Sequence, residues 1–185
     1  MEEVHMQEKQ KAAIRLIAEK IAVAVVLVAV WGMGLKVGYS DDGVATDGTC
    51  GLVVTHILWM VCHGNVWHLS GNLFVLFLLR RRLLLLPSTV IAFVASWLPV
   101  VPGLWDLLPD ADATGVVSVT MGFSGVLFAI VGIKWGDVIK RGLETPASFC
   151  KKMLPFALLG FFIPHINWSI HTCCLLIGFA YGRWK

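Results

Sequence analysis

Charge is what this chain has least of: only 15% of its 185 residues are Asp, Glu, Lys or Arg, against roughly a quarter in a soluble domain. It also lacks any linker-like stretch, internal repeat or low-complexity tail, which leaves a single domain as its organisation. Its five cysteines, Cys50, Cys62, Cys150, Cys173 and Cys174, show no metal-ligand spacing. An odd count reads as small buried side chains and free thiols rather than as a disulfide framework. No metal or other cofactor is expected. What the sequence has in excess is apolar: 57% of residues are hydrophobic, and the mean hydropathy is +0.78. Several apolar runs exceed what a soluble core could hide, so lipid is the implied solvent for most of the chain.

The net charge of +3 matters less than its placement. Basic residues cluster at Lys9, Lys11, Arg15 and Lys20, at Arg80, Arg81 and Arg82, at Lys134, Lys140, Arg141, Lys151 and Lys152, and at Arg183 and Lys185. Between them lie segments carrying Asp41, Asp42, Asp47, Asp106, Asp110 and Asp112, with Lys36 as the exception. Basic loops stay on the cytoplasmic side of a membrane, so the clusters mark one face and the acidic loops the other. The Arg80–Arg82 run abuts two apolar spans and reads as a stop signal rather than a nucleic-acid patch. Against a hydrocarbon core of about 30 Å, the pattern predicts an all-α membrane protein with six transmembrane helices near 21–38, 52–79, 83–105, 123–140, 149–165 and 168–183. Both termini are then cytoplasmic, with a segment over 1–20 preceding a membrane domain over 21–185. Trp31-Gly32-Met33-Gly34 is a poor cleavage site, so the first span is read as a retained anchor rather than a signal peptide.

Polar side chains inside a membrane span are costly and are functional candidates by default. His68 lies 12 residues before Arg80, His171 lies 12 before Arg183, and Ser124 lies 10 before Lys134 and 16 before Lys140. A rise of about 1.5 Å per residue puts all three roughly 15–24 Å above the basic edge, with Asn72 one turn deeper than His68. A hydroxyl and an imidazole at one level can form a nucleophile–base pair. The nearest downstream acid, Asp137, is 13 residues beyond Ser124, or about 20 Å along a helix, so hydrolysis here would run on a dyad. His68 and Asn72, four residues apart, share a helix face and can donate to an oxyanion. The β-rich stretch Gly115–Gly122 ends in glycine, so a helix is expected to open at Ser124 inside the membrane, its free amides facing the site. Gly125, Gly132 and Gly136 on the fourth span, with Gly178 and Gly182 on the sixth, are expected to let two backbones approach closely.

These residues resemble the rhomboid family of intramembrane serine proteases. His63-Gly64-Asn65-Val66-Trp67-His68-Leu69-Ser70-Gly71-Asn72 is similar to the family's H-x4-H-x3-N signature. Gly122-Phe123-Ser124-Gly125 is similar to its G-x-S-G nucleophile motif, and His171 with Gly178 to the histidine–glycine pattern of its last helix. The resemblance covers residues 52–183. It implies a six-helix rhomboid-like bundle that cleaves single-span membrane-protein substrates in or near their transmembrane helices. Ser124 would then be the nucleophile and His171 the base and later the acid. His68, Asn72 and the Ser124 amide would form the oxyanion hole, with His63 and Gly122 in support. The site would open to the non-cytoplasmic side, at the cell membrane if the protein is bacterial. The chain departs from the family at Cys174, where glycine is usual, and at Phe128, where many members carry tyrosine. Nor does it carry the family's Trp-Arg pair in the first outer loop.

Taken singly, Ser124 reads as a packing residue, His171 as a core histidine and Asn72 as a helix–helix hydrogen bond. Their shared depth, order and spacing favour the catalytic reading. The alternative is a rhomboid-like protein that binds transmembrane helices without cutting them, a reading kept open by the short last span and by Cys174, which threatens to push the fourth and sixth helices apart. A metal site of His56, His63 and His68 is disfavoured, because His68 is rotated roughly 140° from His63 on a helix.

Overall fold

Helices make up most of the described residues. The computed structural model describes residues 2–40, 52–79, 83–98, 119–161 and 168–185. In chain order these form α1 (Glu2–Gly32), β1 (Tyr39–Ser40), α2 (Leu52–Leu58), α3 (Val66–Leu78), α4 (Leu85–Ala95), β2 (Val119–Thr120), α5 (Ser124–Lys140), α6 (Pro146–Phe161) and α7 (Trp168–Trp184). β1 and β2 pair antiparallel, Tyr39 opposite Thr120, and tie the segment after α1 to the strand that leads into α5.

α1 begins well before the predicted first span and stops at Gly32, followed by Gly34 with φ +71°. Its early start follows from composition. Glu, Gln, Lys and Ala dominate residues 2–20 and are strong helix formers. Lys11–Glu8 and Arg15–Glu19 pairs at 3.1 and 3.5 Å add support along the exposed face. α1 seats on α3 through buried Leu27, and Lys20 Nζ donates to the Phe77 carbonyl at 2.9 Å. A cation there meets the negative end of the α3 dipole.

The predicted continuous span 52–79 is two helices. Hydropathy does not register the break, but local chemistry does. Asn65 is extended (φ −153°), and its side chain accepts from the His68 amide at 2.9 Å, the N-cap geometry that starts a new helix. α4 covers the first part of the predicted 83–105 span, and the remainder beyond 98 lies outside the described residues. α6 opens at Pro146, with Thr145 Oγ1 accepting from the Ser148 amide at 3.1 Å. The Pro164–Asn167 connection also lies outside the described residues.

α5 and α7 form the closest helix pair, and α4 packs on both. Leu76, Ala92, Ala95, Val126, Ile130 and Ile170 fill the core between them. Outward side chains are large and apolar: Val25 and Val28 on α1, Phe74 and Phe77 on α3, Leu86 and Val90 on α4. Yet no described helix is both long and apolar enough to cross a membrane. The 31-residue α1 carries Arg15, Glu19 and Lys20 within its last 18 residues, and α5 and α7 have 17 residues each, about 26 Å at 1.5 Å per residue.

Candidate active site

The site is built where β2 turns into α5. Gly122 has φ +125°, a conformation that L side chains rarely adopt. Its amide donates to the Trp59 carbonyl at 2.7 Å, which pins this turn to the end of α2. A Cβ at Gly122 would lie 2.5 Å from His68 Nε2 and 3.4 Å from Asn72 Nδ2. Glycine is therefore required twice, for backbone angle and for space. His68 and Asn72 consequently press against the backbone two residues before Ser124. Asn72 is buried, and its Nδ2 lies 2.9 Å from Nε2 of fully buried His63, whose Nδ1 lies 3.2 Å from the Val61 carbonyl. One tautomer satisfies both contacts: Nδ1–H donates to Val61 and Nε2 accepts from the Asn72 amide. The His63 and His68 rings meet edge to face at 5.1 Å.

Ser124 is the first residue of α5, as the glycine-ended approach predicts, and no side chain caps that helix start. Its backbone N–H and those that follow are left without intrahelical acceptors. The Ser124 Oγ lies 2.7 Å from His171 Nε2. His171 is 8% exposed, and Ser124 is half-buried, open on one side. Phe128, one turn along α5, lays its ring flat on His171 with centroids 4.6 Å apart and 12° between planes. Hydroxyl, imidazole, amide and uncapped helix start thus converge from α3, α5 and α7.

The family model for the Rhomboid domain matches residues 51–184. The chain belongs to the rhomboid family. Members of that family are intramembrane serine proteases, integral to the bilayer, that act on membrane-protein substrates. No curated protein and no solved structure matches the chain.

Glycines lie where α5 and α7 meet. A Cβ at Gly132 would collide with the Leu175 carbonyl, one at Gly136 with the Phe179 carbonyl, and one at Gly182 with the Ile133 carbonyl. At Gly178 it would stand 2.6 Å from the Ala129 carbonyl. The two helices therefore touch backbone to backbone. Cys174, where the family usually has glycine, is fully buried, with its Sγ 3.5 Å from where a Gly125 Cβ would lie. Gly125 supplies the space that the thiol fills, so Cys174 does not wedge the helices apart. Trp59 fills the other side, its Cη2 2.7 Å from the same point.

Two features were missed in the sequence. Trp59 anchors the Gly122 turn, and nothing in the spacing marked it. The second is another serine–histidine contact: His56 Nδ1 lies 2.8 Å from Ser96 Oγ, both residues are fully buried, and Trp97 stacks on His56 at 4.0 Å. Ser96 Oγ also donates to the Phe93 carbonyl at 2.6 Å. Among the described residues no three metal-binding side chains gather, and His56 is held in this separate contact. The only acid on α5, Asp137, lies at the far end of that helix, paired with Arg141 at 2.9 Å.

Proposed function

We propose that this protein is an active intramembrane serine endopeptidase that uses a Ser124–His171 dyad. The observation that carries the reading is the 2.7 Å contact between Ser124 Oγ and His171 Nε2 at an uncapped helix start. His171 Nε2 takes the hydroxyl proton as Oγ attacks the scissile carbonyl. The oxyanion is held by the Ser124 amide, by the His68 ring N–H and by the Asn72 amide hydrogen not engaged with His63. Each such donor is worth about 3–4 kcal/mol in the transition state. The imidazolium then protonates the leaving amine. His171 next deprotonates a water that hydrolyses the acyl-enzyme on Ser124. Phe128 fixes the plane of the imidazole throughout.

In this reading the chain crosses the bilayer six times, with α2, the bend at Asn65 and α3 together forming the second crossing. Both termini are cytoplasmic and the dyad opens to the other side, at the cell membrane if the protein is bacterial. Residues 1–20 form the cytoplasmic segment and 21–185 the membrane domain. Substrates are single-span membrane proteins whose helices carry small, helix-weakening residues near the cut. The non-cutting alternative drew on Cys174 as a wedge, and the thiol's seat opposite Gly125 removes that support. Reconstituted in lipid with such a reporter, the wild-type protein should cleave and react with a fluorophosphonate at Ser124. Ser124→Ala should do neither, and cleavage retained by that variant would sink the assignment.

A further inference from the structure

At the end of α5 and α7 remote from Ser124 lies a cleft of about 580 Å³. Four cationic side chains line it, Lys134, Lys140, Arg141 and Lys185, with Asp137 as the one acid. We propose that this cleft binds the phosphate of an anionic phospholipid. The inference rests on the membrane reading above and not on the chemistry of the dyad.

Basic residues on a cytoplasmic face are ordinary; their convergence on one cleft between two helices is not. Four cations and one carboxylate leave a formal +3 (4 − 1 = 3) among the lining residues. Part of that charge is already engaged. Arg141 Nε holds Asp137 at 2.9 Å, and Lys140 Nζ reaches across to the Trp184 carbonyl at 3.5 Å. The C-terminal dipoles of α5 and α7 add about half a negative charge each. The lining side chains stay net positive, which suits a phosphate oxygen cluster. The cleft also has an apolar side. Ile133 and Leu84 line it beside Gly182. Leu84 is the one non-glycine residue with positive φ among the described residues, at +50°, and backbone strain of this kind gathers at ligand clamps. A soluble anion would leave that apolar wall unmatched, whereas a lipid places its glycerol and first methylenes there. Basic pockets between transmembrane helices on the cytoplasmic side are where anionic headgroups settle.

The test uses purified full-length Ser124→Ala protein in detergent, so binding is read without proteolysis. Dihexanoyl phosphatidylglycerol is titrated by calorimetry, with dihexanoyl phosphatidylcholine and inorganic phosphate as parallel arms. Saturable binding of the glycerol lipid is expected, with none for the choline lipid. Lys134→Gln/Lys140→Gln should weaken it about thirtyfold, near fivefold per cation. Lys9→Gln/Lys11→Gln, which removes equal charge from α1, should leave it unchanged. Asp137→Asn should tighten binding, a gain that misfolding does not produce. Equal losses in both double variants would show diffuse charge attraction and overturn the site. So would saturable binding of inorganic phosphate with none of the glycerol lipid, or no saturable binding in either arm. Reporter cleavage by the wild type is unaffected by any of these outcomes, and a failed cleavage assay leaves the binding result standing.

Discussion

Among the described residues two serine–histidine contacts have nearly equal length, and they differ in where the serine proton goes. At Ser96–His56 the hydroxyl donates to the Phe93 carbonyl, so the histidine must be the donor and the serine its acceptor. Both residues are sealed from solvent, and the contact fastens α2 to the end of α4. At Ser124–His171 the serine stands half-buried at a helix start, and the imidazole Nε2 is its recorded hydrogen-bond partner. Distance alone does not make a nucleophile; the proton must be free to move toward the imidazole, and a carbonyl must be able to reach the oxygen.

That contrast can be broken most sharply at the serines. Ser124→Ala should lower reporter cleavage by about 10⁴-fold or more, read in reconstituted lipid. Ser96→Ala should leave the turnover number within about twofold while lowering stability by about 1–3 kcal/mol, read by thermal unfolding. If Ser96→Ala instead abolished cleavage with the fold intact, the assignment of roles would be reversed. Asn72→Ala should cost about 10²–10³ in turnover, read by reporter cleavage in reconstituted lipid. Gly178→Val should unfold or separate the α5–α7 pair, because its Cβ position lies 2.6 Å from a carbonyl that cannot retreat. Phe128→Ala should reduce turnover about tenfold, the size of one lost ring contact, and Phe128→Tyr should restore it.

The smallest effect is expected in the turn between α5 and α6. Glu144 accepts from Lys152 at 2.6 Å, and this bond with one from Ser148 holds its carboxyl below the ordinary carboxylate value. A depressed carboxyl stabilises the fold above its unfolded value of 4.5 and loses that contribution as pH falls. The Glu144 side chain is 32% exposed and that of Lys152 52%, so water screens the pair, and Glu144→Gln should leave the thermal midpoint at pH 7 nearly unchanged and flatten any slope below pH 4.5.

Much of the site was legible because lipid makes polar residues conspicuous. Ser124, His171, His68 and Asn72 stood out by depth alone, and the glycine before Ser124 announced the helix start. The glycines of α5 and α7 were legible for a related reason, since only close backbone approach explains small residues at helical spacing on two apolar helices. The break at Asn65 was hidden because residues 59–63 are as apolar as the helices they separate. The N-cap signal was present, but hydropathy outvoted it. The early start of α1 was missed because the reading stopped the helix where the apolar run stops, although a helix needs no lipid to continue. His56 and Ser96 lie 40 residues apart, and no local pattern joins them.

With no side chains between them at four glycines, α5 and α7 behave mechanically as one beam. Ser124 and His171 ride together on it, so neither can drift from the other when the protein deforms. Under the proposed proteolysis, whatever yields to let a substrate helix in must therefore belong to the rest of the molecule, and the serine–histidine pair stays assembled between turnovers instead of being rebuilt at each one.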